Sequence, residues 1–215
     1  MTETVQWVTT LALPDVWEAR SREGFDDLFT ALAAVPDVDR DFVALLEADV
    51  RPIVQDAAAQ GLVLLAGFME SIDDPPVELD ASGLQVPFDQ DDVAPVAVAA
   101  SLALFDRAAP EGSIDDLAAA LEGAEGRWLA RPERAELPIG PAIVTREVQA
   151  VHPPSLKRAS DVMLVTYHVL PREHPDTVLV ALFRTPSLGF AEEFDAQFAA
   201  IASTLQIVES TGTTR

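Results

Sequence analysis

A chain of 215 residues, 49% of them hydrophobic, is not a disordered tail, and its length suits one large domain that can bury a sizeable core without staples. It has no cysteine, which excludes disulfides, thiolate metal sites and cysteine nucleophiles. The net charge is −22, and besides histidine the basic residues are thirteen Arg and the single Lys157. That balance argues against binding a phosphate backbone, where affinity comes from Lys and Arg, and against anionic membranes.

In chain order, residues 3 to 13, ETVQWVTTLAL, alternate with Val5, Trp7, Thr9, Leu11 and Leu13 on one side, which predicts a strand ended by Pro14. Phe25, Leu28, Phe29 and Leu32 predict a short amphipathic helix, and Asp37 or Asp39 is placed to cap the next one. That helix is expected over about 38 to 60, with Phe42, Leu46, Val50, Ile53 and Ala57 on one face, a kink or break near Asp49 to Arg51 caused by Pro52, and Gly61 at its end. LVLLAGFMES reads as a buried strand. Residues 71 to 93 have no clear period and carry Pro, Gly and Asp, which predicts a long acidic loop. APVAVAASLALF is the next strand. SIDDLAAALEG is a short helix with Ser113 as its N-cap and Gly123 at its stop, and Ala124 to Leu137 reads as a loop.

Three strands are then expected, at about 140 to 151, 160 to 171 and 177 to 185, the last two joined by a turn in PREHPD. A closing helix presents Phe190, Phe194, Phe198, Ile201 and Leu205 on one face, with Glu192 and Glu193 in its first turn. Three phenylalanines left in water would invite aggregation, so this stripe is assigned to the core. The expectation is a single α+β domain over 1–215. It has a mostly antiparallel sheet of about six strands, covered on both faces by about four helices. The first residues lack the basic segment and apolar core of a signal peptide, and no window reaches the ~18 apolar residues of a membrane span, so a soluble, cytoplasmic protein is expected.

The closing hairpin, the LFRTPSLGF turn, and a helix ending in Ile201, Ala202 and Leu205 resemble the end of the PsbP-like fold, which in actinobacteria includes LpqN-type and secretion-associated proteins. The opening VTTLALPDVW is similar to that fold's first strand, whereas the middle of the chain does not match so readily. The resemblance implies a non-enzymatic protein that works by binding others, and it carries over no catalytic residue.

No nucleophile elbow, zinc-binding helix, dinucleotide fingerprint or phosphate loop occurs in the sequence, so no catalytic residue, metal ligand or cofactor is assigned. His152 and His174 flank prolines and read as solvated turn residues. His168 lies mid-strand, on the face of Val162, Leu164 and Leu170. The first functional expectation is a module that binds another protein as a chaperone, adaptor or immunity-type partner. Between Pro52 and Asp106 no Lys, Arg or His occurs among ten Asp and Glu, and Glu70, Asp73, Asp74, Asp89, Asp91 and Asp92 are the candidate border of a contact surface for a basic protein. The alternative reading of the same residues is a solvated face that only confers solubility. The second expectation, from a different class, is an enzyme or small-molecule binder with a pocket between sheet and helices that involves Arg146, Tyr167 and His168.

Overall fold

The computed structural model describes residues 4–21, 44, 51–52, 54–72, 96–109, 113–123, 128–151 and 160–212. Among the described residues are nine strands, six of them from period-2 alternation and apolar runs: β1 (Thr4–Thr10), β2 (Glu18–Ser21), β3 (Leu62–Ile72), β4 (Val96–Ala108), β5 (Trp128–Leu137), β6 (Gly140–Val151), β7 (Ser160–Val169), β8 (Thr177–Thr185) and β9 (Gln206–Gly212). The helices are α1 (Ile114–Glu122) and α2 (Ala191–Ala202), the latter entered through a 3-10 turn at Leu188–Phe190. Residues 54–59 are helical as well, which makes about three helices among the described residues where about four were expected. The expected helix around Phe25, its successor's capping at Asp37 or Asp39, and the kink before Pro52 lie outside the described residues, as does the acidic stretch 73–95.

Seven strands form one antiparallel sheet in the order β2-β3-β4-β8-β7-β6-β5, one strand more than the six expected in all, and β1 and β9 pair apart from it as a two-stranded ribbon. Two meanders thus meet at the β4–β8 seam, and the connection through α1 carries the chain from the middle of the sheet to its β5 edge. Three strands escape the sequence pattern. Residues 128–137 read as a loop because of Arg, Glu and Pro132, yet they form β5 at the sheet edge, where charge and proline are tolerated; the β5–β6 register slips between Ala130 and Glu133. Strands β2 and β9 are short, and their partners lie far away in sequence.

The sheet is apolar on both faces, as its continuous hydrophobic runs require. On one face Leu102, Leu104, Val144, Val165, Tyr167, Leu179 and Phe183 meet Phe194, Phe198, Ile201 and Leu205. Phe198 is fully buried and stacks on Phe183 with ring centroids 4.7 Å apart, while Phe194 stacks on Phe198 at 5.6 Å. Trp17, drawn inward by a turn in which its N–H donates to the Pro14 carbonyl at 2.9 Å, closes this cluster against Phe68 and Phe198. On the other face Leu62, Phe105, Val178 and Val180 pack with Val54 and Ala57 of the helical segment. Towards the β5 edge α1 lies over β5 and β6, where Asp115 pairs with Arg134.

Local chemistry ends several elements as the residue types dictate. Ser113 caps α1 in a reciprocal box with Asp116, and the backbone hydrogen bond from Ser113 is the main cause that lowers the Asp116 pKa. Gly61 has φ +90, and a Cβ there would meet the Asp106 carbonyl oxygen at 2.1 Å, so only glycine joins the helical segment to β3. At the other end of the seam, the fully buried Thr185 hydroxyl donates to the Ala99 carbonyl at 2.7 Å, and the Ala99 N–H donates to Ser187 Oγ at 3.1 Å. The Thr-Pro-Ser turn therefore continues the β4–β8 ladder with side chains after the strand has ended. Among the described residues no helix is long and apolar enough to cross a membrane.

Truncating the centre of the aromatic stack leaves a cavity that a close-packed interior does not refill. Phe198→Ala is expected to lower unfolding free energy by about 3–5 kcal/mol, and Phe194→Ala nearly as much. Urea denaturation of the two variants beside the parent chain measures this, and an unmoved midpoint would overturn the packing assignment.

Candidate functional site

The three residues offered for a pocket between sheet and helices do not converge. Antiparallel register sets Arg146 opposite Val165 and Val144 opposite Tyr167, so Arg146 and Tyr167 share the α2 face. His168 follows Tyr167 directly in β7 and points to the opposite face, between Ile143 of β6 and Val180 of β8. The sheet itself separates Tyr167 from His168.

Arg146 is the hub of an ion network. Its Nε donates to Asp195 of α2 at 2.8 Å and its Nη1 donates to Glu133 of β5 at 2.8 Å. The Arg146 side chain is only 22% exposed, so these bonds are stronger than surface pairs and clamp the helix to the sheet edge. The hydrogen bond to Asp195 is the main cause that raises the Arg146 pKa further. Tyr167 is buried beneath this network, and burial, with Asp195 assisting, pushes its phenol up to about 12. On the opposite face burial pushes His168 down to about 4, and the Arg107 guanidinium acts in the same direction. Arg107 is itself held by the Gln60 carbonyl and side chain at 3.1 and 3.2 Å. These groups are tied into the fold on either side of the sheet.

Concavity occurs elsewhere, at the end of the sheet where the ribbon joins it. Pro138 and Ile139 of the β5–β6 turn, Pro171 to His174 of the β7–β8 turn, and Leu205 to Ile207 at the entry into β9 line a cleft of ≈ 380 Å³. The two turns are locked side by side: Leu170 N–H donates to the Pro141 carbonyl at 2.9 Å and Arg172 N–H donates to the Ile139 carbonyl at 3.1 Å. Gly140 permits this approach, since a Cβ there would lie 2.1 Å from the Leu170 carbonyl oxygen. The ribbon is fastened by Thr204, whose hydroxyl accepts from the Ala12 N–H at 2.9 Å, and by Leu11 and Ile207, which pack on the core.

His174 marks this cleft. The sequence placed it as a solvated turn residue; instead its ring is in edge contact with Trp7 of β1, centroids 4.4 Å apart, and its Nε2 is buried with no hydrogen-bond partner among the described residues. Trp7 stays 49% exposed. The flanking Arg172 pairs with Glu136, which leaves Glu173 as the uncompensated charge of the lining. Sequence reasoning missed Trp7 and His174 as a pair because 167 residues separate them and the strand that positions Trp7, β9, was not foreseen. His152 and, of the six candidate carboxylates, Asp73, Asp74, Asp89, Asp91 and Asp92 lie outside the described residues. The backbone of Glu70 sits in β3 opposite Val98.

Comparison with known proteins adds no assignment: no protein-family profile and no curated sequence matches this chain.

Two outcomes follow from the geometry. The unfolded chain takes up the His168 proton near pH 6.5 and the folded one only near 4, so its neutral burial supports the fold above 6.5 and that support is lost as pH falls towards 4. His168→Gln is expected to flatten the loss of stability over this window by about 1–3 kcal/mol, read from urea midpoints at pH 7 and pH 4.5. Gly140→Ala is expected to cost about 1–3 kcal/mol by overpacking the two turns, and an unchanged melting temperature would show that they are not locked as described.

Proposed function

We propose that this chain is a non-catalytic module that binds another protein, with a basic protein as its partner. The observation that carries the reading is the apolar exposure of Trp7, Val8 and Val208 on the ribbon. Trp7 is half exposed beside a cleft with proline, leucine and isoleucine walls, and Val8 (38%) and Val208 (39%) pair across β1 and β9 on the ribbon's other face. Tryptophan is enriched where proteins meet, since a large rigid ring buries much area at little entropic cost. A net charge of −22 supplies the long-range field that steers a cationic partner towards such a surface.

The polar groups that would serve chemistry have structural employment instead: Arg146 is bound by two carboxylates and Tyr167 is held protonated within the core. An enzyme or small-molecule site built on Arg146, Tyr167 and His168 gains no support from side chains that the sheet divides. Chaperone, adaptor and immunity-type roles all fit a protein-binding module, as does the resemblance of the closing turn and helix to PsbP-like proteins that act by binding others. A cytoplasmic setting belongs to the same reading.

Partner capture tests it. The chain and a variant with Glu70, Asp73, Asp74, Asp89, Asp91 and Asp92 changed to Asn or Gln are each exposed to lysate at low and high salt. A reproducible basic protein, retained by the parent chain at low salt and reduced by both high salt and the substitutions, is the expected result. Equal recovery by both chains at both salt levels would reduce the acidic segment to a solubilising face.

A further inference from the structure

We infer that the cleft beside Trp7 is the anchor point of the interaction, and that it takes an apolar side chain of the partner flanked by an arginine or lysine. This rests on the protein-binding reading and adds the chemistry of the segment that is recognised. Three features specify it. Part of the wall is apolar: Pro138, Ile139 and Ile207 carry no charge and keep surface open, with Pro171 and Leu205 buried behind them, so a leucine-sized side chain gains by entering. The rim has one sign: Glu136 neutralises Arg172, and Glu173 remains. The flank is aromatic: the Trp7 indole leans on His174, which lines the cleft next to Glu173 in the chain, and half of its surface stays open as a π-system for a cation.

The cleft is pre-formed as well. The Gly140 close approach and the paired turns hold its walls, and the Thr204–Ala12 bonds hold the ribbon that closes it, so little ordering opposes binding. The overall charge of −22 disfavours an acidic segment of the same apolar content, which gives the cleft selectivity by repulsion as well as by attraction.

The test uses the full chain with labelled methyl groups and indole nitrogens, followed by NMR. Three blocked tetrapeptides serve as probes, with alternating leucine and arginine, serine and arginine, or leucine and glutamate. The leucine–arginine peptide is expected to shift the Ile139, Leu205 and Ile207 methyl signals and the Trp7 indole signal saturably, at millimolar concentration for so short a probe. The serine–arginine peptide, with equal charge, and the leucine–glutamate peptide, with equal apolar content, are expected to leave those signals in place. Glu173→Gln, at an exposed position that leaves the fold intact, is expected to weaken the leucine–arginine peptide about three- to fivefold, the size of an exposed ion pair. Trp7→Ala is expected to weaken it further. Equal shifts from both arginine peptides, shifts located elsewhere, or an unchanged affinity in Glu173→Gln would overturn the assignment. Capture of the same protein partner by the parent chain and by Glu173→Gln and Trp7→Ala with equal yield would also remove the cleft from the interface while leaving the protein-binding reading standing. Loss of all specific capture by the parent chain would remove the reading itself.

Discussion

The stack of Phe198 on Phe183 is the contact from which the rest of the structure takes its geometry. A helix carrying large rings every turn can approach a sheet closely only where the strands present small side chains between large ones. Ala66, Ala100, Ala142 and Ala181 supply that relief within the same cluster that holds Leu104, Val165 and Phe183. Helix α2 is thereby fixed in position and direction. Its exit at Leu205 and the course of β9 follow, and with β9 come β1, the ribbon and the cleft beneath it.

Electrostatics refines this placement without creating it. The Arg146 pairs join α2, β6 and β5 at the helix's outer side, where the aromatic stripe no longer reaches. Because the network is only partly buried, its carboxylates keep contact with water and the desolvation cost stays moderate. The Thr185–Ala99–Ser187 bonds do the same service at the end of the β4–β8 seam, where strand pairing runs out. The chain's charge is overwhelmingly of one sign, and such self-repulsion favours solubility more than it favours stability.

The cleft shows how a concave surface arises from parts with no local signature. Pro138, Pro171 and Leu205 are separated by long stretches of chain and belong to two turns and a helix exit. None of these segments has a periodicity that marks it as functional. The nearest signal in the sequence was the solitary Trp7 in an otherwise modest strand, and its meaning depended on which turn it would cover. His174, between a glutamate and a proline, has the composition of a solvated loop residue; only the ribbon folding over it withdraws its Nε2 from water.

By itself the sequence determined the α+β class, the antiparallel hairpin of β7 and β8, the Ser113 cap of α1 and the burial of Phe194 and Phe198. Each of these is written in spacing over a few residues: period 2, period 3.6, or a capping residue three positions before its partner. The sequence reading set Tyr167 and His168 in one candidate pocket, although side chains alternate along a strand and the sheet register places them on opposite faces. Tertiary structure alone decided that residues 128–137 are an edge strand, that the last residues of the described chain return to pair with the first, and where a concave surface forms. An edge strand is recognised by what it pairs with, because its own composition is shaped to resist pairing elsewhere. A ribbon between residues 4 and 212 is a contact of the longest range available to the described chain, and no local propensity encodes it. It forms because α2, once its rings are buried against Phe183 and its neighbours, delivers Gln206 to the side of the sheet where β1 already lies.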